Sequence, residues 1–258
     1  MIYCVAANKG GVGKTSLLTN VAALLSLDKR VLMVDCDGQG NCSLAFGINP
    51  LGVKSTLHDV LLGGCSIEQA AIKIRDNLSL IPSNDDMDIL ELEILPEAKE
   101  KYKHPYELLK PHLEAIKGQY DYIMIDTPPS LGLVTMNALK ASDRVLIPFE
   151  PELYAVKGLI KVLETVEKFQ EKSNPGLKVE GVVGMKVDSR TSLHSDMLQQ
   201  ARAYCFKKDI NIYQTVIPRS IRFASATNYH GKPAVWVDKN NAIVKAYFEL
   251  AKEMFDND

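Results

Sequence analysis

Two continuous apolar runs, "RVLMVD" and "DYIMID", each end in an aspartate and are the strongest constraint on the fold. A strand that is apolar without interruption is buried on both faces, as in a parallel sheet covered by helices. Similar runs alternate with segments that carry apolar residues at helical spacing. This alternation predicts an α/β fold with a doubly wound, mostly parallel sheet flanked by helices. The predicted strands are residues 2–7, 31–35, 78–82, 122–126, 144–148, 179–185 and 212–217, and the predicted helices are residues 14–25, 105–116, 134–141, 155–171, 195–206 and 242–255.

The length and composition are those of an ordinary globular protein. The chain has 258 residues, of which 46% are hydrophobic and 24% charged, so we expect one domain spanning residues 1–258. We expect neither a signal peptide nor a transmembrane helix, because no suitable apolar run is present. The five cysteines are scattered without a CxxC pair, which is typical of reduced thiols. Together these features predict a cytoplasmic protein.

A glycine-rich segment, "ANKGGVGKTS", lies between the first predicted strand and the first predicted helix. Glycines let backbone N–H groups turn inward around an anion, and the helix that follows points its positive end at the same place. Lys14 supplies a full charge for the outer phosphates of a nucleotide, Thr15 a hydroxyl for Mg²⁺, and Ser16 a further donor. The strict G-x-x-x-x-G-K-[ST] pattern fails, because its first glycine falls on Asn8. The residues predicted to bind the nucleotide are Lys9, Gly10, Gly11, Val12, Gly13, Lys14, Thr15 and Ser16.

Aspartates follow two of the predicted strands. Asp35, Asp37 and Asp126 are placed at the carboxyl ends of parallel strands, on the sheet edge where ligands bind and where the glycine-rich segment also lies. Asp126 is predicted to hold Mg²⁺ through water, as a Walker B aspartate, and Asp35 to contribute to the outer shell of the metal. If the bound nucleotide is hydrolysed, Asp37 is the candidate for orienting the water molecule that attacks its phosphate. Helix or turn capping is the alternative role for such aspartates.

The segment "KGGVGKTS" resembles the deviant Walker A motif of the ParA/MinD group of P-loop ATPases. In that group, the lysine that matches Lys9 reaches across a dimer interface to phosphates held by the other subunit. The resemblance therefore implies an ATP-dependent homodimer in which Lys9, Lys14 and Asp37 serve catalysis. Burying two nucleotides face to face has a large desolvation cost, which additional cations offset. Asp37 matches the second acid of the group's D-x-D-P-Q-G-N motif, although Gly38 replaces the proline.

Other runs are similar to short, Soj-type ParA proteins. The resemblance implies that "DTPPSLG" is a second switch that senses the γ-phosphate, and that the region around Pro218 walls the adenine. It also implies a nucleoid-associated ATPase of low activity that partitions plasmid or chromosomal DNA, stimulated by a ParB-like centromere-binding protein. The runs are "IPSNDDMD", "DTPPSLGLVTMNAL", "PELYAVKGL", "TVIPRSIRFA", "HGKPA" and "AYFELAKEM".

Residues 186–245 carry ten basic and four acidic side chains, a net charge of +6 in a chain whose total is −2. A basic region on an acidic body is typical of a surface that binds the phosphate backbone of DNA without reading its sequence. A scatter of solvated lysines and arginines is the alternative interpretation. The family resemblance implies DNA contacts by Arg190 and Arg222. The further candidates are Lys186, Lys208 and Arg219.

Two other functions fit part of the pattern. A MinD-like membrane ATPase ends in a basic amphipathic helix, whereas residues 242–258 carry two lysines against Glu249, Glu253, Asp256 and Asp258. We therefore expect no membrane partner, and a ParA-type ATPase that positions a membrane-bound or protein cargo remains the alternative. A DNA-binding module that does not hydrolyse ATP is a second alternative. Such a module would need neither Lys14 nor Asp126, and an ATPase assay separates it from an ATPase.

Overall fold

A seven-stranded sheet runs through the centre of the computed structural model, which describes residues 1–98 and 100–255. The strand order is β3-β4-β2-β5-β1-β6-β7, and every neighbouring pair is parallel except β3 with β4. The predicted α/β fold with a mostly parallel sheet is therefore confirmed. The strands are β1 (Ile2–Val5), β2 (Val31–Asp35), β3 (Ile72–Arg75), β4 (Leu78–Ile81), β5 (Tyr122–Asp126), β6 (Arg144–Phe149) and β7 (Lys178–Gly184).

Helices cover both faces of this sheet. The helices are α1 (Lys14–Leu25), α2 (Asn41–Ala45), α3 (Leu57–Leu62), α4 (Ile67–Ala70), α5 (Leu90–Ile94), α6 (Leu109–Ile116), α7 (Leu133–Ala141), α8 (Ala155–Lys172), α9 (Ser192–Lys207), α10 (Ile221–His230), α11 (Ala234–Val237) and α12 (Ala242–Phe255). None of the helices in the described residues has the length and apolar character needed to cross a bilayer.

The sheet separates two hydrophobic cores, and the alternation of side chains along each strand explains how. In β2, Leu32 and Val34 enter the core that also contains apolar residues of α6, α7 and α8, whereas Val31 and Met33 enter the core formed with α1 and α12. Successive side chains of a strand point to opposite faces, so a strand buried on both faces must be apolar throughout. The runs that predicted the fold are therefore the runs that fill both cores.

The structure differs from the prediction at both edges of the sheet. The β3 strand was not predicted, because only alternate residues of "IKIR" are partly buried, as suits a short antiparallel edge strand. Residues 212–217 were predicted as a strand but make only isolated bridges, Val182 with Ile212 and Val187 with Pro218. The carboxylate of Glu253 accepts the backbone N–H groups of residues 214 and 215, which replaces strand pairing there.

The acidic stretch 85–100 carries apolar residues at helical spacing, which predicts one amphipathic helix with a solvated acidic face. The structure instead has a 3₁₀ helix (Asp85–Asp88) followed by α5 and turns, and residue 99 of this stretch lies outside the described residues. The α10 helix had no predicted counterpart. Asp256 and Asp258, which weighed against a membrane-binding tail, also lie outside the described residues.

Candidate nucleotide-binding site

The glycine-rich segment forms the connection between β1 and α1, at the carboxyl edge of the sheet. Gly13 directly precedes α1 and has a φ of 92°, a left-handed conformation that favours glycine. Lys14, the first residue of α1, is only 6% exposed. A buried ammonium beside a helix N-terminus makes a strong anion-binding position. The left-handed glycine and the buried lysine fit a phosphate-binding loop, and the assignment of its residues stays a prediction.

A cavity of about 810 Å³ opens beside this loop. Cavities of about 300–1,000 Å³ are typical for small molecules and cofactors. The loop contributes polar groups to its lining, and α10 and the segment between β7 and α10 contribute apolar side chains. Pro218 is not among the lining residues, although its neighbours Ile217 and Arg219 are. The lining residues include Gly10, Gly11, Gly13, Lys14, Thr15, Ser16, Asp37, Glu150, Met185, Lys186, Ile217, Arg219, Ile221, Phe223 and Tyr247.

Two acids lie directly behind Thr15. Asp35 and Asp126 face each other in the β2–β5 register, and both side chains are fully buried. The Asp126 carboxylate accepts hydrogen bonds from the Thr15 hydroxyl and from the Cys42 thiol, the latter at 3.4 Å. Its other oxygen, Oδ1, is buried without a hydrogen-bond partner, and burial raises the pKa of Asp126 to about 6. A buried carboxylate oxygen that lacks a donor, next to a hydroxyl, is the oxygen ligand set that a hard divalent cation such as Mg²⁺ prefers.

Asp35 holds the loop that follows β2. Its carboxylate accepts the backbone N–H of Asp37 at 3.1 Å and that of Cys42 at 3.0 Å. Burial and the nearby charge of Asp126 raise the pKa of Asp35. Its two loop contacts leave further lone pairs, because a carboxylate has about four acceptor sites. Asp35 thus fixes the start and end of the segment that carries Asp37.

Asp37 lines the cavity and is almost completely buried. Its carboxylate accepts the backbone N–H of Gln39 at 3.1 Å. At the next position, a Cβ would lie 2.3 Å from Oδ1 of Asp88. Glycine at position 38, in place of the proline of the related motif, therefore leaves room for the acidic side chain of the 3₁₀ helix.

Lys9 does not line this cavity. The side chain is 56% exposed, donates a hydrogen bond to Glu152 and lies 4.0 Å from Glu150. It lines a smaller neighbouring cavity of about 270 Å³ together with Tyr154 and other residues at the start of α8. The two lysines of the loop therefore have different environments: Lys14 is buried beside the nucleotide cavity, and Lys9 lies on the surface.

The five candidate DNA-binding residues fall into three places. Arg190 is paired with Asp188 and Arg222 with Asp238, at 2.7 and 2.9 Å, and both arginines are exposed. Lys186 and Arg219 surround Glu150 at the mouth of the nucleotide cavity. Lys208 follows α9, whose 16 residues span about 24 Å, and lies beside Lys178 at the opposite edge of the sheet. Of the five candidates, only Lys186 and Arg219 share a partner, and Lys208 lies apart from both.

Several residues of the site were not predicted because they come from distant segments. The Tyr247 hydroxyl of α12 is 2.9 Å from the Ser16 hydroxyl, and Phe223 packs edge-on against the Tyr247 ring. Neither aromatic residue stands in a local pattern that indicates ligand binding. Glu152 lies in a run that resembles the family, and Glu150 directly precedes that run, but nothing in the run assigns partners to either glutamate.

The chain is similar to known proteins over most or all of its length. Residues 1–179 match the family model described as an AAA domain. The chain is 39% identical to the sporulation initiation inhibitor protein Soj of Bacillus subtilis, over 99% of this chain and 98% of that protein. It is 37% identical to the chromosome partitioning protein ParA of Caulobacter vibrioides, over 100% of this chain and 94% of that protein.

Solved structures show the same fold with nucleotides bound. Cobyrinic acid a,c-diamide synthase from Mycobacterium smegmatis, with bound ADP and magnesium, has a TM-score of 0.82 and 30% identity, covering 97% of this chain and 92% of that one. A putative plasmid partition protein from Borrelia burgdorferi bound to AMPPNP has a TM-score of 0.81 and 26% identity, covering 100% and 99%. With most of the chain matched by the family model and nearly full-length similarity to these relatives, the chain belongs to the ParA/Soj family of partition ATPases.

Proposed function

We propose that the protein is a Mg²⁺-dependent ATPase that closes around ATP into a sandwich dimer, binds DNA without sequence preference and segregates plasmid or chromosomal DNA with a ParB-like partner. The observation that carries this proposal is the pair of loop lysines: Lys14 is buried and lines the nucleotide cavity, whereas Lys9 is exposed and does not line it. The chromosome partitioning function for which the Caulobacter relative is named supports the choice of cargo.

In this proposal, ATP lies in the 810 Å³ cavity with its phosphates on the loop between β1 and α1. The loop N–H groups and Lys14 bind the phosphates, and the apolar wall around Ile217 and Phe223 receives the adenine, close to Pro218. Thr15 and Asp126 would hold Mg²⁺, with Asp35 in its outer shell, and the bound ion would neutralise charge on the phosphates. Asp37 accepts a hydrogen bond from the attacking water and orients it towards the γ-phosphate.

The exposed position of Lys9 fits a role in the other subunit of a dimer. Its ammonium group does not line the nucleotide cavity of its own chain. A cation brought by the second subunit would reduce the cost of burying two nucleotides at one interface. ATP then favours the closed dimer because it gains contacts there that the open monomer does not offer.

DNA binding in this proposal depends on the exposed arginines, Arg190 and Arg222. Each dimer presents both arginines twice. Since every neutralised phosphate contributes about −0.9 to the slope of log K against log salt, closing the dimer doubles that slope. A dimer therefore binds DNA at salt concentrations where a monomer does not.

Two measurements on the same preparations test the proposal. Light scattering with ATP and Mg²⁺ is expected to detect dimers of the wild type but none of Lys9→Ala, which still binds ATP. Filter binding to two unrelated DNA duplexes across a salt series measures the affinity for DNA. Arg222→Ala is expected to bind both duplexes equally more weakly than the wild type, and its slope of log K against log salt is expected to be smaller by about one to two units per dimer.

Arg30→Ala is the matched control for DNA binding. Arg30 pairs with Asp121 at 2.9 Å and is 54% exposed, the same distance and exposure as Arg222 has with Asp238, but it lies before β2, outside the basic segment. If Lys9→Ala forms an ATP-dependent dimer as stable as that of the wild type, the proposed role of Lys9 in the other subunit is refuted. If the ATP-bound dimer forms but does not bind DNA, a membrane-bound or protein cargo replaces DNA in the proposal.

A further inference from the structure

Five charged side chains form a cluster beside the nucleotide cavity: Lys9, Glu150, Glu152, Lys186 and Arg219. Three of them, Glu150, Lys186 and Arg219, also line the cavity. Glu150 lies at the centre of the cluster, 4.0 Å from Lys9, 3.7 Å from Lys186 and 3.2 Å from Arg219. Glu152 accepts a hydrogen bond from Lys9 and lies 3.5 Å from Arg219. The side chain of Lys186 also donates to the carbonyl of Gly11 in the phosphate loop.

The two glutamates differ in exposure and in the number of cations they bind. Glu150 is 6% exposed and is shared by three cations, so it is part of the framework of the site. Glu152 is 41% exposed and makes its closest contact with Lys9. The hydrogen bond and charge of Glu152 raise the pKa of Lys9, so this carboxylate is the principal partner of the ammonium group.

We propose that Glu152 is a positioning residue that holds Lys9 on its own subunit while no nucleotide is bound, and so raises the ATP concentration at which the dimer closes. The inference rests on the proposed function, in which Lys9 acts on a nucleotide held by the other subunit. Phosphates of that nucleotide must compete with the Glu152 carboxylate for the same ammonium group. The contact thus delays closure without preventing it.

The exposure of this ion pair sets the size of the effect. Exposed ion pairs shift an equilibrium by about 1.4-fold to fivefold. Closing the dimer releases two such contacts, one from each subunit. Removing the Glu152 charge is therefore expected to raise the dimerisation constant in ATP by about twofold to 25-fold.

The restraint is tested first in the nucleotide-free full chain, where dimerisation plays no part. Reductive methylation with ¹³C-formaldehyde labels the lysines, and the Lys9 signal is identified by its loss in Lys9→Arg. Glu152→Gln is expected to lower the pKa of Lys9, whereas Glu152→Asp keeps it closer to that of the wild type. Glu114→Gln is the matched control, because Glu114 is an exposed partner of Lys110 at 3.7 Å. An unchanged Lys9 pKa in Glu152→Gln would overturn the proposal.

The consequence is tested by light scattering of unmodified protein titrated with ATP at fixed Mg²⁺. Glu152→Gln is expected to dimerise at lower ATP than the wild type, and Glu114→Gln at the wild-type concentration. An equal or higher ATP requirement in Glu152→Gln would show that Glu152 is neutral or aids closure, and the inference would fail. If the wild type does not dimerise with ATP, the proposed function fails instead, and the Lys9 pKa still reports on the restraint.

Discussion

Gly231, directly after α10, is the position at which we expect the smallest substitution to have a large effect. Its φ is 54°, and a Cβ there would lie 2.7 Å from Cα of Gly47 and 3.2 Å from its nitrogen. Both are backbone atoms, so rotation of a side chain cannot relieve the overlap. In Gly231→Ala, α10 must move away from the segment that follows α2.

The loss of stability is the sum of three terms. A residue with a Cβ in the left-handed region costs about 1–2 kcal/mol. Overpacking against a backbone that must shift costs about 1–3 kcal/mol more. Alanine restricts the unfolded chain, which returns about 0.4–1 kcal/mol. We therefore expect Gly231→Ala to lower the free energy of unfolding by about 3 kcal/mol.

Two other glycines separate these terms. Gly63 has a φ of 82°, and a Cβ there would meet no atom within 4 Å, so Gly63→Ala carries only the backbone cost, a net loss of about 1 kcal/mol. Gly118 has neither a left-handed φ nor a neighbour within 4 Å, and Gly118→Ala is expected to be neutral or to stabilise by about 0.5 kcal/mol. Of the three variants, only Gly231→Ala places the new Cβ against backbone atoms of another segment.

Urea unfolding of the three variants measures these differences, and calorimetric titration with ATP measures the consequence for the site. Because α10 carries Ile221 and Phe223 of the nucleotide cavity, only Gly231→Ala is expected to weaken ATP binding while the protein is still folded. The reasoning is refuted if Gly231→Ala is no less stable than Gly63→Ala, since the close approach of the two backbones would then have no energetic consequence.

Three further substitutions test the site and the DNA surface. Lys14→Ala is expected to abolish ATP binding in calorimetry, because the phosphates lose their buried cation, and tight binding would contradict the assignment of the loop. Asp37→Ala is expected to slow phosphate release but to leave ATP-dependent dimers intact, because its carboxylate holds only the N–H of residue 39; an unchanged rate would place the catalytic role elsewhere. Asp238→Asn frees Arg222 and is expected to strengthen DNA binding by about 1.4-fold to fivefold per site in filter assays, whereas Asp121→Asn, the matched control, leaves it unchanged.

The strands of the sheet could be predicted where the residues of a single segment are enough to indicate a buried strand. The strands at residues 31–35 and 122–126 have the observed bounds, because burial on both faces requires apolar residues before the final aspartate. Residues 212–217 include the polar Gln214 and Thr215, and the side chain of Glu253 competes for the backbone N–H groups of both. That competition joins two segments about 40 positions apart, so no window of sequence around residue 212 contains it.

The same distinction applies to the site. The phosphate loop and Asp126 could be proposed from the sequence, because the loop lies within one strand-to-helix connection and Asp126 lies at the end of one strand. Tyr247 reaches Ser16 across 231 positions of the chain, and Glu152 reaches Lys9 across 143. The fold creates the first contact by packing α12 against α1 and the second by placing the ends of β1 and β6 side by side, so both depend on the topology and not on a local motif.

Each exposed cation assigned a function at this edge already has a carboxylate partner in the same chain: Lys9 has Glu152, Arg190 has Asp188, and Arg222 has Asp238. An anionic ligand must therefore replace an existing ion pair instead of filling a free site, and each contact with one subunit is weakened by about 1.4-fold to fivefold. Under the proposed function, a single subunit offers too few contacts to overcome that competition at physiological salt, whereas a dimer doubles their number and the salt slope with it. Internal pairing lowers the affinity of both forms, once for each contact, so DNA binding depends on the doubled set of contacts that only the dimer presents.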